Sequence, residues 1–179
     1  MDIDRASVTI YASNLLLSLL GFVGTAYFAQ TLGGTVLGIF FTFDAVMSVL
    51  ETATRLGVDT GIEKRMSEAE QERRGAYLTA GYLITLVPIG VVSALLFLFR
   101  DWVTAYIGVA IVPLLVVLII SSTGRWLIGA ALRGEGEVAR ASIIELFGEV
   151  FRVVTSVALI AVGYEVFALL YGVLVGILF

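Results

Sequence analysis

Charged side chains lie inside two of the most apolar stretches of this sequence, at spacings typical of one helix face. They form two groups, which are Asp44, Glu51, Arg55 and Asp59, and then Glu145, Glu149 and Arg152. On a helix the first group covers an arc of about 80° and the second an arc of about 60°. A milder polar stripe precedes them and consists of Asn14, Ser18, Gly21 and Thr25.

The chemistry of these groups depends on their position in an apolar environment. Each ionised group in the middle of a bilayer costs about 2.5–3.5 kcal/mol or more, so the charged faces must turn toward each other, a partner or water. We predict a polar cavity in a helical bundle, where the cations bind an anion and the carboxylates balance charge or relay protons. The candidates for binding are Arg55, Arg125, Arg152 and Asn14, and those for coupling are Asp44, Glu51, Asp59, Glu145 and Glu149.

Two alternatives to a cavity stay open at this point. Glu51–Arg55 and Glu149–Arg152 have the spacings of intrahelical ion pairs and could neutralise each other. Asp59, Arg125, Arg140 and Glu145 could lie at the headgroups, where long side chains reach water. Glu145 and Glu149 are one turn apart, and in the cavity hypothesis, if they are desolvated together, they resist simultaneous ionisation, which suits proton coupling.

The elements that carry these residues are predicted to be membrane-spanning helices. The chain has 179 residues, of which 59% are hydrophobic and 15% charged, against roughly 25% charged in a soluble domain. The mean hydropathy is +1.02. Residues 6–43, 75–99 and 102–124 are uncharged runs of 38, 25 and 23 residues, and about 20 suffice for one span. We therefore predict an all-α, polytopic transmembrane helical bundle forming a single domain over residues 1–179.

The composition also argues against several functions. The sequence has no Cys and no His, which removes thiolate nucleophiles, imidazole bases and the commonest zinc ligands. A net charge of −4 disfavours nucleic acid as a partner. Phosphate-binding loops, nucleophile elbows and zinc-protease motifs are missing from the sequence, so we expect no enzyme activity, metal or cofactor.

Six spans are predicted, five of them complete and the sixth truncated. Their bounds are about 8–29, 36–62, 75–99, 102–132, 138–162 and 166–179, with Pro88 and Pro113 as kinks and 63–74 as a charged loop. The sixth span would be about 21 Å long, short of a hydrocarbon core of about 30 Å. The expectation is a chain that ends within a helix and is a piece of a longer protein.

The distribution of basic residues predicts the orientation of these spans. Seven of them fall on one side, namely Arg5, Lys64, Arg65, Arg73, Arg74, Arg133 and Arg140. The loops on the other side hold Arg100. By the positive-inside rule the N-terminus and the loops with the seven basic residues are cytoplasmic.

Three segments carry a resemblance to a known family. They are LGGTVLGIF at 32–40, RLGVDTGIEKR at 55–65 and GAALRGEGE at 129–137. These glycine-anchored turns resemble those of the polysaccharide-transport (oligosaccharide flippase) family, in the multidrug/oligosaccharidyl-lipid/polysaccharide exporter superfamily. The resemblance covers nearly the whole chain.

The resemblance implies a function and a set of partners. Members of the family are two-lobe bundles that move lipid-linked sugars, which carry an anionic diphosphate, across the membrane by alternating access. The chain would be most of the N-terminal lobe, with Arg55 and Arg152 the first candidates to meet the diphosphate. Its partners would be membrane lipids, the lipid-linked oligosaccharide and a missing C-terminal lobe or partner chain. Alternating access needs two halves, so the chain alone would be incompetent.

The charged residues also suit other functions, and the choice of basic residues indicates the kind of organism. The helices hold five acidic groups against three arginines, which also suits an ion-coupled multidrug or toxin exporter of the same superfamily. A non-transporting membrane scaffold or a gene fragment is the third alternative. Ten of the eleven basic residues are arginine, a usage similar to that of salt-loving archaea, and the expected location is a prokaryotic plasma membrane.

Overall fold

The structure of this chain is a computed structural model. It describes the backbone of residues 3–179 and the side chains from Val8 onward, so the side chain of Arg5, used in the orientation prediction, lies outside the described residues. This part of the chain is helical, without strands, which confirms the all-α prediction. The helices are α1 (Ile3–Arg55), α2 (Val58–Glu68), α3 (Gln71–Leu98), α4 (Arg100–Ile107), α5 (Val112–Gly134), α6 (Val138–Ala161) and α7 (Val166–Leu178).

Helix α1 runs through the turn that the sequence predicts at residues 30–34. It is interrupted at one residue, Gly33, whose backbone angles of φ 76° and ψ 170° are not helical. Only glycine adopts such angles without steric cost, since it has no Cβ. The first two predicted spans are therefore the two arms of one kinked helix.

A second break separates Asp59 from the charged residues that precede it. Leu56 and Gly57 have positive φ angles of 46° and 76°, so α1 ends at Arg55 and α2 begins at Val58. Two successive left-handed residues change the chain direction, because a helix cannot continue through them. The prediction that Asp59 shares one helix face with Asp44, Glu51 and Arg55 was wrong.

The segment predicted as a charged loop at 63–74 is also mostly helical. Helix α2 continues to Glu68 and α3 starts at Gln71. The apolar side chains of α2, Ile62 and Met66, are buried in a cluster with Leu127, Ala130 and Ala131 of α5. This burial holds a polar, surface-type segment in helical form.

The segment 102–132, predicted as one span, is divided between α4 and α5. Gly108, with φ 92°, caps the C-terminus of α4, and Pro113 lies in the first turn of α5. Proline is favoured there because the first helical N–H groups have no partner. Pro113 therefore begins a helix, whereas Pro88 lies within α3.

Two compact units make up the chain. One comprises Met1–Phe41 and Val138–Phe179, and the other comprises Thr42–Glu137. In the second unit, α5 is the most buried helix, with Leu115, Leu118 and Ile119 fully inaccessible. In the first unit α6 packs against α7.

Three helical segments of the described residues are long and apolar enough to cross a membrane. They are Val8–Arg55, Gln71–Leu98 and Val112–Gly134, while the apolar Val166–Leu178 is shorter. Helix α6 has 24 residues, about 36 Å of helix, but it carries Glu145, Glu149 and Arg152 in its middle. Its length suits a span and its charges require partners.

Candidate functional site

The first candidate site is the ion pair between Glu51 and Arg55 near the end of α1. Arg55 Nη2 donates to Glu51 Oε2 at 2.9 Å, and Arg55 Nε donates to the Glu51 carbonyl oxygen at 3.3 Å. The exposed fractions of the two side chains are 21% for Arg55 and 19% for Glu51. The spacing of four residues therefore produces the intrahelical pair that the sequence allowed as an alternative.

An aromatic ring completes this site. The Cζ atom of Arg55 lies over the ring of Trp126, 4.2 Å from its centroid. A cation at this distance from an indole face is attracted to the negative face of the ring. Arg55 is held by a carboxylate and by a ring on another helix, and both contacts lie within the second unit.

Sequence reasoning missed Trp126 and selected its neighbour Arg125. An indole in the middle of a predicted span is itself a signal, since tryptophan usually lies at the membrane interface. That signal gives no partner, because Arg55 and Trp126 are on different helices. Arg125 is half-buried on α5 and has a partner of its own.

The second candidate site is the ion pair between Glu149 and Arg152 on α6. Arg152 Nε donates to Glu149 Oε2 at 2.8 Å, and Arg152 Nη2 donates to Glu149 Oε1. The exposed fractions are 20% for Arg152 and 19% for Glu149. Two parallel hydrogen bonds make this a bidentate pair, the strongest arrangement of arginine and carboxylate.

Glycines of two other helices surround this second pair. A Cβ on Gly21 of α1 would lie 3.9 Å from Glu149 Oε1, and one on Gly176 of α7 would lie 2.8 Å from Arg152 Cβ. A Cβ on Gly172 would collide with Ser156 Oγ, a fully buried hydroxyl that has no hydrogen-bond partner among the described residues. Helix α7 therefore lies directly on the backbone of α6, and this contact fixes the stem of Arg152.

The other predicted residues are distributed over several helices. Asp44 and Asn14 are exposed on α1, and Glu145 is half-buried on α6 with a partner. On α2, Asp59 Oδ1 accepts a hydrogen bond from the Thr60 backbone N–H at 2.9 Å. Of the predicted site residues, the structure pairs Glu51 with Arg55 and Glu149 with Arg152, and no hydrogen bond or ion pair of the described residues adds Asp44, Asp59 or Asn14 to either pair.

The described residues offer no group of three Asp or Glu side chains arranged to hold a metal ion. The chemistry available at the two pairs is therefore that of guanidinium and carboxylate groups. An arginine presents a planar set of donors that fits the oxygens of a phosphate or carboxylate. In each pair the charge of the guanidinium is balanced by the carboxylate of its own partner.

The described residues form apolar helices with charged pairs in their interior, an arrangement typical of helical membrane proteins, and comparison with known proteins agrees with this. The chain is 28% identical over 176 residues to a probable low-salt glycan biosynthesis flippase, Agl15, of Haloferax volcanii. It is 26% identical over 168 residues to a probable flippase, AglR, of the same organism. The matches cover 98% and 94% of this chain, which spans only 37% and 35% of the two relatives.

These two matches support the predicted relation to the flippase family. No family model matches the chain, and no solved structure matches it. The chain is a membrane protein related to proteins that are named as probable flippases.

Proposed function

We propose that this chain is part of a flippase that moves a lipid-linked oligosaccharide across a prokaryotic plasma membrane. The observation that carries the proposal is the presence of two arginines in apolar helices, each balanced by one carboxylate. A lipid-linked sugar has an anionic diphosphate, which is the group that arginine recognises best. The similarity over nearly the whole chain to a probable glycan biosynthesis flippase and to a second probable flippase supports this substrate. The acidic composition, in which ten of eleven basic residues are arginine, supports a salt-loving archaeal source.

Exchange of partners at Arg55 is the proposed binding step. The diphosphate displaces Glu51 from the guanidinium, while the Trp126 ring holds the cation in place. The Glu51 carboxylate is then released from its counter-charge. The same exchange can occur at Glu149 and Arg152.

We infer that the chain alone does not flip lipids. It spans 37% of the length of the first relative, and alternating access requires two halves that move against each other. Proteoliposomes that contain only this chain should leave a labelled lipid-diphosphate sugar on its original leaflet. Transfer to the other leaflet at a rate above that of empty liposomes would contradict this inference.

Binding by the chain tests the substrate assignment directly. We expect Arg55→Gln and Arg152→Gln each to weaken binding of a lipid-diphosphate sugar about tenfold, because a charge-assisted hydrogen bond contributes about 1.5–3 kcal/mol. Titration with the lipid-diphosphate sugar in detergent micelles measures the affinity. The same two variants in the full-length transporter should lower transport. Arg100→Gln is the matched control, since Arg100 is 70% exposed and next to Asp101. Wild-type affinity in both arginine variants would contradict the assignment of the two arginines to an anion site.

An ion-coupled exporter of organic cations is the second candidate. The exposed carboxylate of Asp44 and the excess of acidic groups in the helices favour it. In that case Glu51→Gln and Glu149→Gln would abolish binding of a cationic drug, and the two arginine variants would leave it unchanged. The two sets of variants therefore separate the candidates.

A further inference from the structure

A small pocket with charged and hydroxyl-bearing side chains lies between α2 and the end of α5, and none of the residues of the two ion pairs lines it. It has a volume of about 300 Å³ and is lined by Thr60, Glu63, Lys64, Ser67, Arg133 and Gly134. All six residues belong to the unit Thr42–Glu137. The volume is at the lower end of the range for ligand pockets, about 300–1,000 Å³, which suits a headgroup better than an oligosaccharide.

The walls of this pocket are fixed by a close helix contact. A Cβ on Gly134 would lie 2.5 Å from the Glu63 carbonyl oxygen and 2.6 Å from Met66 Cβ, so only glycine allows this approach. Next to it, Arg133 Nε donates to Glu63 Oε2 at 3.2 Å and links α5 to α2. Because both contacts join the same two helices, the pocket is formed before any ligand arrives.

The charges of the lining favour an anion. Lys64 and Arg133 supply two cations against the single carboxylate of Glu63, which is already engaged by Arg133. Among the residues with described side chains, none places a carboxylate oxygen within 4.0 Å of the Lys64 ammonium group. The six lining side chains therefore carry two positive charges against one negative charge, and the Lys64 ammonium group has no carboxylate partner among the described side chains.

The two hydroxyl groups of the lining favour a ligand with hydroxyls of its own. Thr60 Oγ1 donates to the Gly57 carbonyl oxygen at 2.8 Å, and Ser67 Oγ donates to the Lys64 carbonyl oxygen at 2.7 Å. With their protons used in this way, both oxygens offer lone pairs to a donor on the ligand. An anionic group beside one or more hydroxyls matches this lining.

The position of α2 in the chain brings the pocket to the level of lipid headgroups. Helix α2 is polar and rich in charge, and it connects the apolar helices α1 and α3. The excess of basic residues predicts that this end faces the cytoplasm. Basic pockets between helices on that side of a membrane bind anionic headgroups.

We propose that the pocket between α2 and α5 binds the phosphate of a lipid headgroup together with a neighbouring hydroxyl, as in a glycerophosphate or a sugar phosphate. Lys64 and Arg133 contact the phosphate, and Thr60 and Ser67 accept from the hydroxyl. Two sources share this chemistry, a phosphoglycerol lipid of the bilayer and a lipid-linked sugar. Binding of a bilayer lipid does not depend on the proposed flippase function, whereas binding of a lipid-linked sugar rests on it.

Retention of phosphatidylglycerol by the purified chain tests the proposal, with native mass spectrometry as the measurement. Lys64→Gln should weaken retention about tenfold, since it removes a charged hydrogen bond. Arg65→Gln is the matched control, because Arg65 makes the same charge change one residue along α2, is 65% exposed and does not line the pocket. An equal loss in both variants, or no loss in Lys64→Gln, would overturn the proposal.

Two further measurements define the ligand. Ser67→Ala should weaken retention of phosphatidylglycerol about threefold, an amount in the range of one neutral hydrogen bond, and leave phosphatidic acid unchanged. A lipid-diphosphate sugar that displaces phosphatidylglycerol at equal concentration identifies the lipid-linked sugar as the source, and failure to displace it identifies the bilayer lipid. Arg100→Gln should keep wild-type retention, since Arg100 is exposed and outside the pocket. Because phosphatidylglycerol carries neither a sugar nor a diphosphate, failure of this site is distinguishable from failure of the proposed function.

Discussion

The two ion pairs of this chain have similar sequence spacing and similar exposure, yet their surroundings differ. Glu51–Arg55 has one hydrogen bond between side chains and an aromatic ring beside the cation. Glu149–Arg152 has two hydrogen bonds between side chains, and a glycine-lined helix contacts the stem of its arginine. The first arginine can lose its carboxylate and keep a favourable contact, whereas the second depends on its carboxylate.

This difference assigns separate roles to the pairs. An arginine with a second, nonionic contact is suited to exchange one anion for another, because the ring stabilises the guanidinium during the exchange. A bidentate pair under a closely packed helix is suited to hold two helices in one arrangement. We therefore expect Arg55 to be the more mobile of the two binding groups, and Arg152 the more important for stability.

The largest expected effect concerns the helix contact that distinguishes the second pair. Gly172→Ala should lower the free energy of unfolding by about 2–3 kcal/mol, because the added methyl group collides with Ser156 and has no space. Denaturant titration in detergent micelles measures this change. Gly90→Ala is the control, since a Cβ there meets nothing within 4 Å and alanine favours the helix. Equal stability of the two variants would mean that α7 does not fix Arg152.

Removal of each carboxylate tests the comparison itself. Glu149→Ala should destabilise the chain by about 2 kcal/mol, because it leaves a mostly buried arginine without a counter-charge. Glu51→Ala should cost about 1 kcal/mol, since the Trp126 ring still contacts Arg55. The same denaturant titration ranks the two variants. A larger loss in Glu51→Ala would reverse the roles assigned above.

The smallest effect is expected at the aromatic ring. Trp126→Leu should lower the free energy of unfolding by about 0.5–1 kcal/mol through the lost cation–π contact. A double-mutant cycle with Arg55→Gln measures the coupling of the two residues. Trp102→Leu is the matched control, because Trp102 stacks on Tyr106 and not on a cation. A coupling free energy of zero between Arg55 and Trp126 would show that the ring does not stabilise the cation, and the proposed difference between the two ion pairs would be wrong.

Local pattern was sufficient to predict the helical class, and it allowed both ion pairs as the alternative to a cavity. Uncharged runs longer than about 20 residues have few alternatives to a helix in a membrane, and the spacings of Glu51–Arg55 and Glu149–Arg152 place each pair on one face. The predicted segment 138–162 and α6 (Val138–Ala161) have nearly the same bounds. These features depend on residues within a few turns of each other.

Backbone breaks and contacts between residues far apart in the sequence could not be predicted from local pattern. Leu56 and Gly57 end α1 four residues before Asp59, and nothing in the hydrophobic pattern marks that break. Gly108 and Pro113 are residue types typical of a helix end and a helix start. Because the residues on both sides of them are apolar, the hydrophobic pattern does not change at the break. The contact of Trp126 with Arg55 depends on how α5 packs, which a single sequence does not determine.

The glycine-mediated contact between α6 and α7 has a consequence for biogenesis. A segment with three charges in its middle partitions poorly from the translocon into lipid on its own, whereas the adjacent α7 is strongly apolar. Because Gly172 and Gly176 allow the two helices to associate closely, we expect them to enter the bilayer as a hairpin, with α7 supplying the insertion free energy that α6 lacks. The small residues of α7 would then serve the assembly of the protein in the cell as well as its final packing.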